Sequence, residues 1–259
     1  MCFRLLFRRA RLLLQSLREA RLPSRRRGAG AGRRLHPGSG QGHPIRDYQS
    51  TTYLSSFDSI DDFGLLLRKE ALRRGSATAG KIVLLIDGAE GWENMGKINF
   101  PGCLQIVDFY HAMEHLGRVL EALRGAPVAK NDTQKGRWTK LLLKDGVQKI
   151  IAQARAEASG KPCQTAVEKE LHYLDHNAGR MLYGTYRKEG LFIGSGVIEA
   201  GCKTVIGARC KQSGMFWSRP GAGNILALRC LKSGNTWETF WKTRANAPSA
   251  LNESLPLAA

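Results

Sequence analysis

The sequence predicts a mixed α/β fold, in which a small parallel sheet is followed by a long run of helices. A short apolar run at residues 82–86, bounded by glycines, is typical of a strand that is buried on both faces. A helical stretch from about residue 90 to 97 and a second apolar run at 104–107 follow it. Strand, helix and strand in this order suggest a right-handed parallel βαβ unit. Residues 110–188 show helical spacing and no strand-like alternation.

Helix start and stop patterns frame the remaining predicted elements. Ser59 with Asp62 forms a capping box, apolar residues follow at helical spacing up to 71, and Gly75 is typical of a helix end. Beyond residue 188 we expect one helix from near residue 197, a second that opens at Ser218 and a third that opens at Thr236.

Composition favours a polyanionic partner. The 259 residues carry 40 Lys and Arg against 22 Asp and Glu, a net charge of +18 that suits nucleic acid or an anionic membrane surface. No stretch reaches the roughly 18 uninterrupted apolar residues of a membrane span, which argues against a membrane protein. The six cysteines form no CxxC pair, and we interpret them as reduced, buried thiols of a cytosolic protein.

Residues 1–45 differ from the rest of the chain. They hold eleven Arg, no Lys and one acid, Glu19. An Arg-rich targeting peptide, a nucleic-acid-binding arm and non-native coding sequence are three alternatives, and the absence of Lys favours the third. We expect this leader to be poorly ordered. The domain organisation predicted is a leader at 1–45, an α/β core at 46–109, a helical insertion at 110–188, a helical C-terminal part of the core at 189–243 and a frayed tail at 244–259.

Two carboxylates follow the two predicted strands. Asp87 and Asp108 each come directly after a strand, and the carboxyl ends of parallel strands meet at the edge where open α/β sheets place their sites. For Asp87, a helix N-cap is an equally weighted alternative.

Two long motifs resemble one family. Residues 84–116 read LLIDGAEGWENMGKINFPGCLQIVDFYHAMEHL, and residues 190–218 read GLFIGSGVIEAGCKTVIGARCKQSGMFWS. In this order they resemble the C-terminal part of the ISKra-type insertion-sequence DDE transposases, which are Mutator-like. The resemblance extends from about residue 46 to 241, roughly three quarters of the chain.

The resemblance implies an RNase H-like core, partial here, with an inserted all-helical segment and a helical C-terminus. Asp87 and Glu199 would be the second and third members of the Asp, Asp, Glu triad and would hold Mg²⁺ or Mn²⁺, with Asp108 and His111 in support. The first Asp is expected before residue 50, where the leader stands. We therefore expect a truncated copy, and the resemblance does not decide whether this copy is catalytically active. Asp108 as a substitute ligand is a disfavoured alternative.

The function implied is DNA cleavage and strand transfer in the transposition of an insertion sequence. The partners would be transposon-end DNA and, in a homodimer, a second copy, in the cytoplasm and nucleoid of a bacterium. A non-catalytic DNA-binding remnant is the alternative. Without the motif around it, Glu199 would be interpreted as a surface pair with Lys203.

A basic stretch followed by aromatic residues is the candidate DNA-binding segment. Lys and Arg suit phosphate contact, and aromatic rings suit stacking on an unpaired or flipped base. For Trp217 taken singly, a core position is slightly favoured. The residues concerned are Lys203, Arg209, Lys211, Gln212, Phe216 and Trp217.

His111, Glu114 and His115 spell H-x-x-E-H, the inverted zinc-peptidase motif, which gives a second enzyme class. A five-residue match arises easily by chance, and a third ligand is not identifiable in the sequence. Such a histidine pair more often consists of ordinary buried or solvated side chains than of metal ligands. The peptidase is therefore the less favoured hypothesis.

Overall fold

The computed structural model describes residues 13–17, 51–129, 131–196 and 201–246. In these ranges the strands are β1 (Leu13–Leu17), β2 (Lys81–Ile86) and β3 (Leu104–Val107). The α-helices are α1 (Ile60–Arg73), α2 (Glu90–Asn99), α3 (Phe109–Arg124), α4 (Thr133–Leu142), α5 (Val147–Ala158), α6 (Gln164–Asn177), α7 (Tyr183–Lys188), α8 (Arg219–Ser233) and α9 (Trp237–Ala245). Two 3₁₀ turns (Ser76–Thr78 and Ala178–Arg180), a π-helix (Cys202–Gly207) and one further α-helical turn (Ala208–Cys210) complete the regular structure.

The predicted parallel strand pair is confirmed. β2 and β3 pair in parallel with Val83 opposite Leu104 and Ile86 opposite Val107, and α2 connects them. The helix start at Ser59 is confirmed as well, because the Ser59 side chain accepts a hydrogen bond from the backbone N–H of Asp62 at the start of α1. The prediction of a mixed α/β fold therefore holds, with far more helix than sheet.

The other edge of β2 pairs with a segment of the leader. β1 runs antiparallel to β2, with Leu13 opposite Leu85 and Leu17 opposite Lys81. This differs from the expectation of a poorly ordered leader. An open strand edge presents unpaired N–H and C=O groups that an extended segment can satisfy, and leucine-rich sequence suits such a strand. The rest of the leader lies outside the described residues.

Each face of β2 contributes to a different core. Val83 and Leu85 pack with α3 to α7 in the larger core, and Leu84 and Ile86 pack with α1 and α2 on the opposite face. All four side chains are at most 2% exposed. The strand is therefore buried on both faces, as its continuous apolar run predicts.

The helices between residues 109 and 188 share a core with the sheet. Ile106 and Val107 of β3 lie in the same cluster of buried side chains as residues of α3, α5 and α6. The Tyr183 hydroxyl donates a hydrogen bond to the carbonyl oxygen of Val107 at 2.9 Å. The segment predicted as a helical insertion is helical, and it forms the layer that covers one face of the sheet.

The C-terminal helices form a smaller core of their own. Val205, Leu226 and Cys230 pack there with side chains from residues 53–57 and with parts of the π-helix. α8 begins where the sequence predicts, and the Ser218 hydroxyl accepts from the N–H of Gly221 at 3.2 Å. Of the helix expected from residue 197, the first four positions lie outside the described residues, as do residues 247–259 of the predicted tail.

Five of the six cysteines are described, and all five are free thiols. The expectation of burial holds fully only for Cys230, because Cys103, Cys163, Cys202 and Cys210 are half-buried. Burial raises the pKa of the Cys230 thiol, as it does for Cys103. Among the described helices, none combines the length and the apolar character that crossing a membrane would take.

Candidate functional site at the sheet edge

Asp108 is held by two backbone groups. It is 1% exposed, and its Oδ1 accepts the N–H of His111 at 3.0 Å, which caps the start of α3. Its Oδ2 accepts the N–H of Ser195 at 2.6 Å. Both carboxylate oxygens are therefore bound to the protein itself, and the side chain fixes residues 193–195 to the sheet edge. This geometry does not favour Asp108 as a substitute metal ligand.

Asp87 uses only one of its carboxylate oxygens. It is 7% exposed, and Oδ1 accepts the N–H of Ala89 at 3.0 Å, in a short turn between β2 and α2. In the part of the chain that the structure describes, Oδ2 has no hydrogen-bond donor. The N-cap of α2 is Ala89, which has no side-chain bond, so Asp87 shapes the turn and does not cap the helix.

The turn after Asp87 is clamped by α6. The Tyr173 hydroxyl donates to the carbonyl oxygen of Asp87 at 2.6 Å, and Asn177 Nδ2 donates to the carbonyl oxygen of Gly88 at 3.2 Å. Burial, followed by the charges of Asp87 and Asp108, raises the pKa of Tyr173, so its hydroxyl stays protonated as a donor. Tyr173 and Asn177 are site residues that the sequence analysis missed. Their only trace in the sequence is a pair of polar side chains four residues apart on one helical face.

Beside this clamp lies a network around Glu93. Glu93 contacts Lys97 Nζ at 2.8 Å, Arg180 Nη1 at 2.8 Å and His176 Nε2 at 3.2 Å. The hydrogen bond with Lys97, with Arg180 and His176 in addition, lowers the pKa of Glu93 to about 2 against a partial burial that raises it. Arg180 also donates to Asn177 Oδ1 at 2.7 Å, so the network fixes the residue that holds Gly88.

His111 and His115 do not form a metal pair in this structure. The His115 ring stacks on Tyr173 with 3.5 Å between the ring centroids and 7° between the planes. His115 Nδ1 lies 3.3 Å from Glu170 Oε2 without hydrogen-bond geometry. Burial, with the charges of Arg118 and His111 in addition, lowers the pKa of His115 to about 3. His115 is therefore a neutral ring that packs α3 against α6.

The peptidase hypothesis gains no support from these contacts. Glu114, the base of the motif, is 53% exposed at its side chain and faces Arg118 at 3.8 Å. The described ranges contain no group of three or more His, Cys, Asp or Glu side chains that could hold a metal ion. His111 is half-buried, and its backbone N–H serves the cap by Asp108.

Glu199, the predicted third carboxylate, falls within residues 197–200, which lie outside the described residues. Two hydrogen bonds hold the segment before Glu199 at the edge of the sheet. The N–H of Phe109 donates to the carbonyl oxygen of Ile193 at 2.9 Å, and Ser195 is held by Asp108. The chain therefore enters residues 197–200 from the edge of the sheet that carries Asp87. The Ser195 hydroxyl there is buried and has no hydrogen-bond partner among the described residues.

The candidate DNA-binding residues lie on the C-terminal part of the chain, and their surroundings differ. Lys203, Lys211 and Gln212 are exposed, although Gln212 Nε2 donates to the carbonyl oxygen of Ala208 at 2.9 Å. The Arg209 guanidinium lies 5.3 Å from the centre of the Trp217 ring.

Phe216, and not Trp217, is the aromatic residue of this segment whose ring is available for stacking. Trp217 is half-buried, Arg209 covers its ring, and its Nε1 is buried without a partner among the described residues. Phe216 is 98% exposed. The core position that the sequence slightly favours for Trp217 is closer to what the structure shows.

An arginine of α8 binds two carbonyl oxygens of the π-helix that carries Lys203. Arg229 Nε donates to the carbonyl oxygen of Val205 at 2.6 Å, and its Nη2 donates to that of Thr204. A π-helix breaks the usual ladder of backbone bonds, and such turns are frequent at functional sites. Arg229 thus stabilises the segment that presents Lys203 to solvent.

Comparisons of the chain with protein-family models, with curated proteins and with solved structures find no match. The functional argument is therefore made from the residues of this chain.

Proposed function

We propose that this chain is a transposase-derived protein with an RNase H-like core, and that it binds DNA through its C-terminal basic surface. We define this surface as the exposed side chains of residues 203–219. The observation that carries the proposal is Phe216, which is 98% exposed and lies between Lys211 and Arg219 in the sequence. A base that stacks on this ring would cover apolar surface that water contacts in the free protein.

The charge around Phe216 suits a phosphate backbone. Residues 201–246 contain eight Lys and Arg and a single acid, Glu238. Arg209 and Arg219 have their guanidinium groups near aromatic rings, at 5.3 Å from Trp217 and 5.7 Å from Phe57. Planar cations held in this way retain donors for phosphate oxygens. The chemistry is that of a strand-binding surface with one ring for an unpaired base.

Binding to oligonucleotides tests this proposal. The variant Phe216→Ala should weaken binding of a single-stranded oligonucleotide by about 1–3 kcal/mol, and Phe216→Trp should restore it. Leu65→Ala is the matched control, because Leu65 is another exposed apolar side chain, 61% exposed, on α1. Equal affinities for the three proteins that carry Phe, Ala or Trp at position 216 would refute a stacking role.

Metal-dependent cleavage is the second candidate function, and it is favoured by the Asp87 oxygen that has no donor among the described residues. A carboxylate oxygen without a donor at the carboxyl end of a parallel strand suits Mg²⁺ or Mn²⁺, which prefer oxygen ligands. The bound ion would supply water activation and charge stabilisation. Glu199 is the proposed second ligand, since the chain reaches it from this edge. Asp108 does not fit, because both of its oxygens are occupied.

Cleavage of a transposon-end duplex in Mg²⁺ and in EDTA distinguishes the two candidates. An enzyme should cut only with the metal, and both Asp87→Asn and Glu199→Gln should abolish cutting. A DNA-binding protein without catalysis should retain the duplex equally in EDTA and leave it intact. Binding by both variants at the affinity of the unaltered chain would show that they are folded.

A further inference from the structure

A cavity lies at the junction of α7 with the turn between α4 and α5. Its volume is about 280 Å³, and it is lined by Leu143, Lys144, Asp145, Gly184, Arg187 and Lys188. This volume lies just below the range that is typical of ligand pockets, which favours a small group over a dinucleotide. All lining residues belong to elements other than the C-terminal basic surface.

Asp145 joins the two walls of the cavity, the turn after α4 and the start of α7, through hydrogen bonds. Its carboxylate accepts from the N–H of Gly184 at 2.6 Å, from the N–H of Thr185 at 3.1 Å and from the Thr185 hydroxyl at 2.8 Å. These bonds cap the first turn of α7 from a residue about 40 positions earlier in the chain. They also account for the left-handed backbone of Asp145, with φ 61°, which costs a non-glycine residue about 1 kcal/mol or more. The cavity is therefore formed without a ligand.

Cations outnumber acids by three to one in the lining of the cavity. Lys144, Arg187 and Lys188 are exposed, and no ion pair joins any of them to an acid of the described ranges. Glu189, the residue that follows α7, forms an ion pair with Lys81 at 2.9 Å. Asp145 is the only acid in the lining, and three donors already surround its carboxylate. Three cations against one acid around a small concave space favour an anion.

We infer that this cavity binds a phosphate group. A tetrahedral phosphate carries close to two negative charges as a monoester and one as a diester, and it offers several oxygens to Lys and Arg donors. The Leu143 side chain provides an apolar wall for the group attached to the phosphate. The same chemistry is present in a free phosphate monoester and in the backbone of a nucleic acid. The inference does not depend on the proposed C-terminal DNA surface.

Nuclear magnetic resonance of the full chain with inorganic phosphate tests the site directly. The amide signals of Gly184 and Thr185 should shift on titration and saturate, since Gly184 lines the cavity and both N–H groups donate to the lining residue Asp145. Sodium chloride at matched ionic strength should leave them in place. Amide shifts that are identical in the two salts, or that never saturate, would overturn the inference.

Variants locate the binding and identify the source of the phosphate. Lys144→Gln with Arg187→Gln should weaken phosphate binding at least about tenfold, which corresponds to about 1.4 kcal/mol. Lys149→Gln, an exposed lysine of α5 outside the cavity, should have no effect. An equal loss in the control would overturn the site.

Displacement of inorganic phosphate identifies the source of the phosphate group. If the source is a nucleic acid backbone, a single-stranded oligonucleotide will displace inorganic phosphate. If the source is a free monoester, AMP will displace it and the oligonucleotide will not. Loss of DNA binding in Phe216→Ala with phosphate binding intact would separate the two proposals.

Discussion

Gly88 shows how one residue sets the shape of the candidate site. Its φ is 82°, a left-handed conformation that favours glycine, and a Cβ atom there would lie 2.6 Å from the Tyr173 hydroxyl oxygen. That hydroxyl is the group that binds the carbonyl oxygen of Asp87. A side chain at position 88 would therefore strain the turn and displace its clamp.

Gly88→Ala should lower the free energy of unfolding by more than Gly102→Ala. Gly102 has a φ of 76° and open space where its Cβ would be, so it carries only the backbone strain. The difference should be at least about 1 kcal/mol, the contribution of the displaced Tyr173 hydrogen bond. Urea unfolding of both variants measures it. Equal losses would mean that Tyr173 does not clamp the turn.

Asp87 and Asp108 should respond differently to replacement by Asn. At Asp108, both oxygens accept backbone N–H groups, so the amide nitrogen of Asn would face one of these donors and lower stability by about 1–3 kcal/mol. At Asp87 one oxygen suffices for Ala89, and Asn can supply it, so the loss should stay below about 1 kcal/mol. Thermal unfolding of the two variants tests this, and a reversed order would contradict the assignment of Asp108 as a structural residue.

The elements that the sequence predicts best are those that local chemistry specifies. The run at 82–86 is apolar because both of its faces are buried, and the Ser59 cap bonds to a residue three positions away. Both properties can be recognised within a short window. The strand pair and α1 were therefore predictable, as was the position of Asp87 and Asp108 at one sheet edge.

The contacts that complete the site come from distant parts of the chain. Tyr173 reaches Asp87 across 86 positions, and Ser195 reaches Asp108 across 87. A helical pattern in the sequence indicates which face of a helix is buried, but it does not indicate which strand end that face contacts. The availability of Phe216 in place of Trp217 was likewise not predictable, because it depends on which ring Arg209 covers.

The contact between α3 and α6 should make stability depend on pH through His115. Its pKa of about 3 in the folded chain lies below the ordinary 6.5, so the unfolded chain takes up a proton first as the pH falls. The contribution of His115 is complete above pH 6.5 and is lost as the pH falls toward 3, at no more than about 1.4 kcal/mol per pH unit.

His115→Phe should flatten the fall in stability between pH 6.5 and pH 5, since Phe can keep the stack on Tyr173 and takes up no proton. His172→Gln, an exposed histidine of α6, should leave the slope unchanged. Urea unfolding at a series of pH values gives both curves. A slope that His115→Phe does not change would show that the ring is already protonated in the folded chain.

At the scale of the whole molecule, positive charge is concentrated at the two ends of the sequence. Eleven Arg stand in residues 1–45 and eight Lys and Arg in residues 201–246, whereas the rest of the chain holds 21 Lys and Arg against 20 Asp and Glu. A surface on which the two charges balance attracts a polyanion weakly. The cations of the C-terminal basic surface should therefore dominate the salt dependence.

The double variant Lys203→Gln with Lys211→Gln should therefore bind duplex DNA with a flatter salt dependence. Each phosphate contact contributes about 0.9 to the slope of log affinity against log salt, so the loss of two should reduce that slope by about 1.8. Lys69→Gln with Lys149→Gln removes the same charge from α1 and α5 and should change the slope little. Fluorescence anisotropy between 50 and 200 mM salt, roughly the range over which such contacts are strongly screened, measures all three proteins. If both double variants flatten the slope equally, DNA responds to net charge alone, and the C-terminal basic surface is not where it binds.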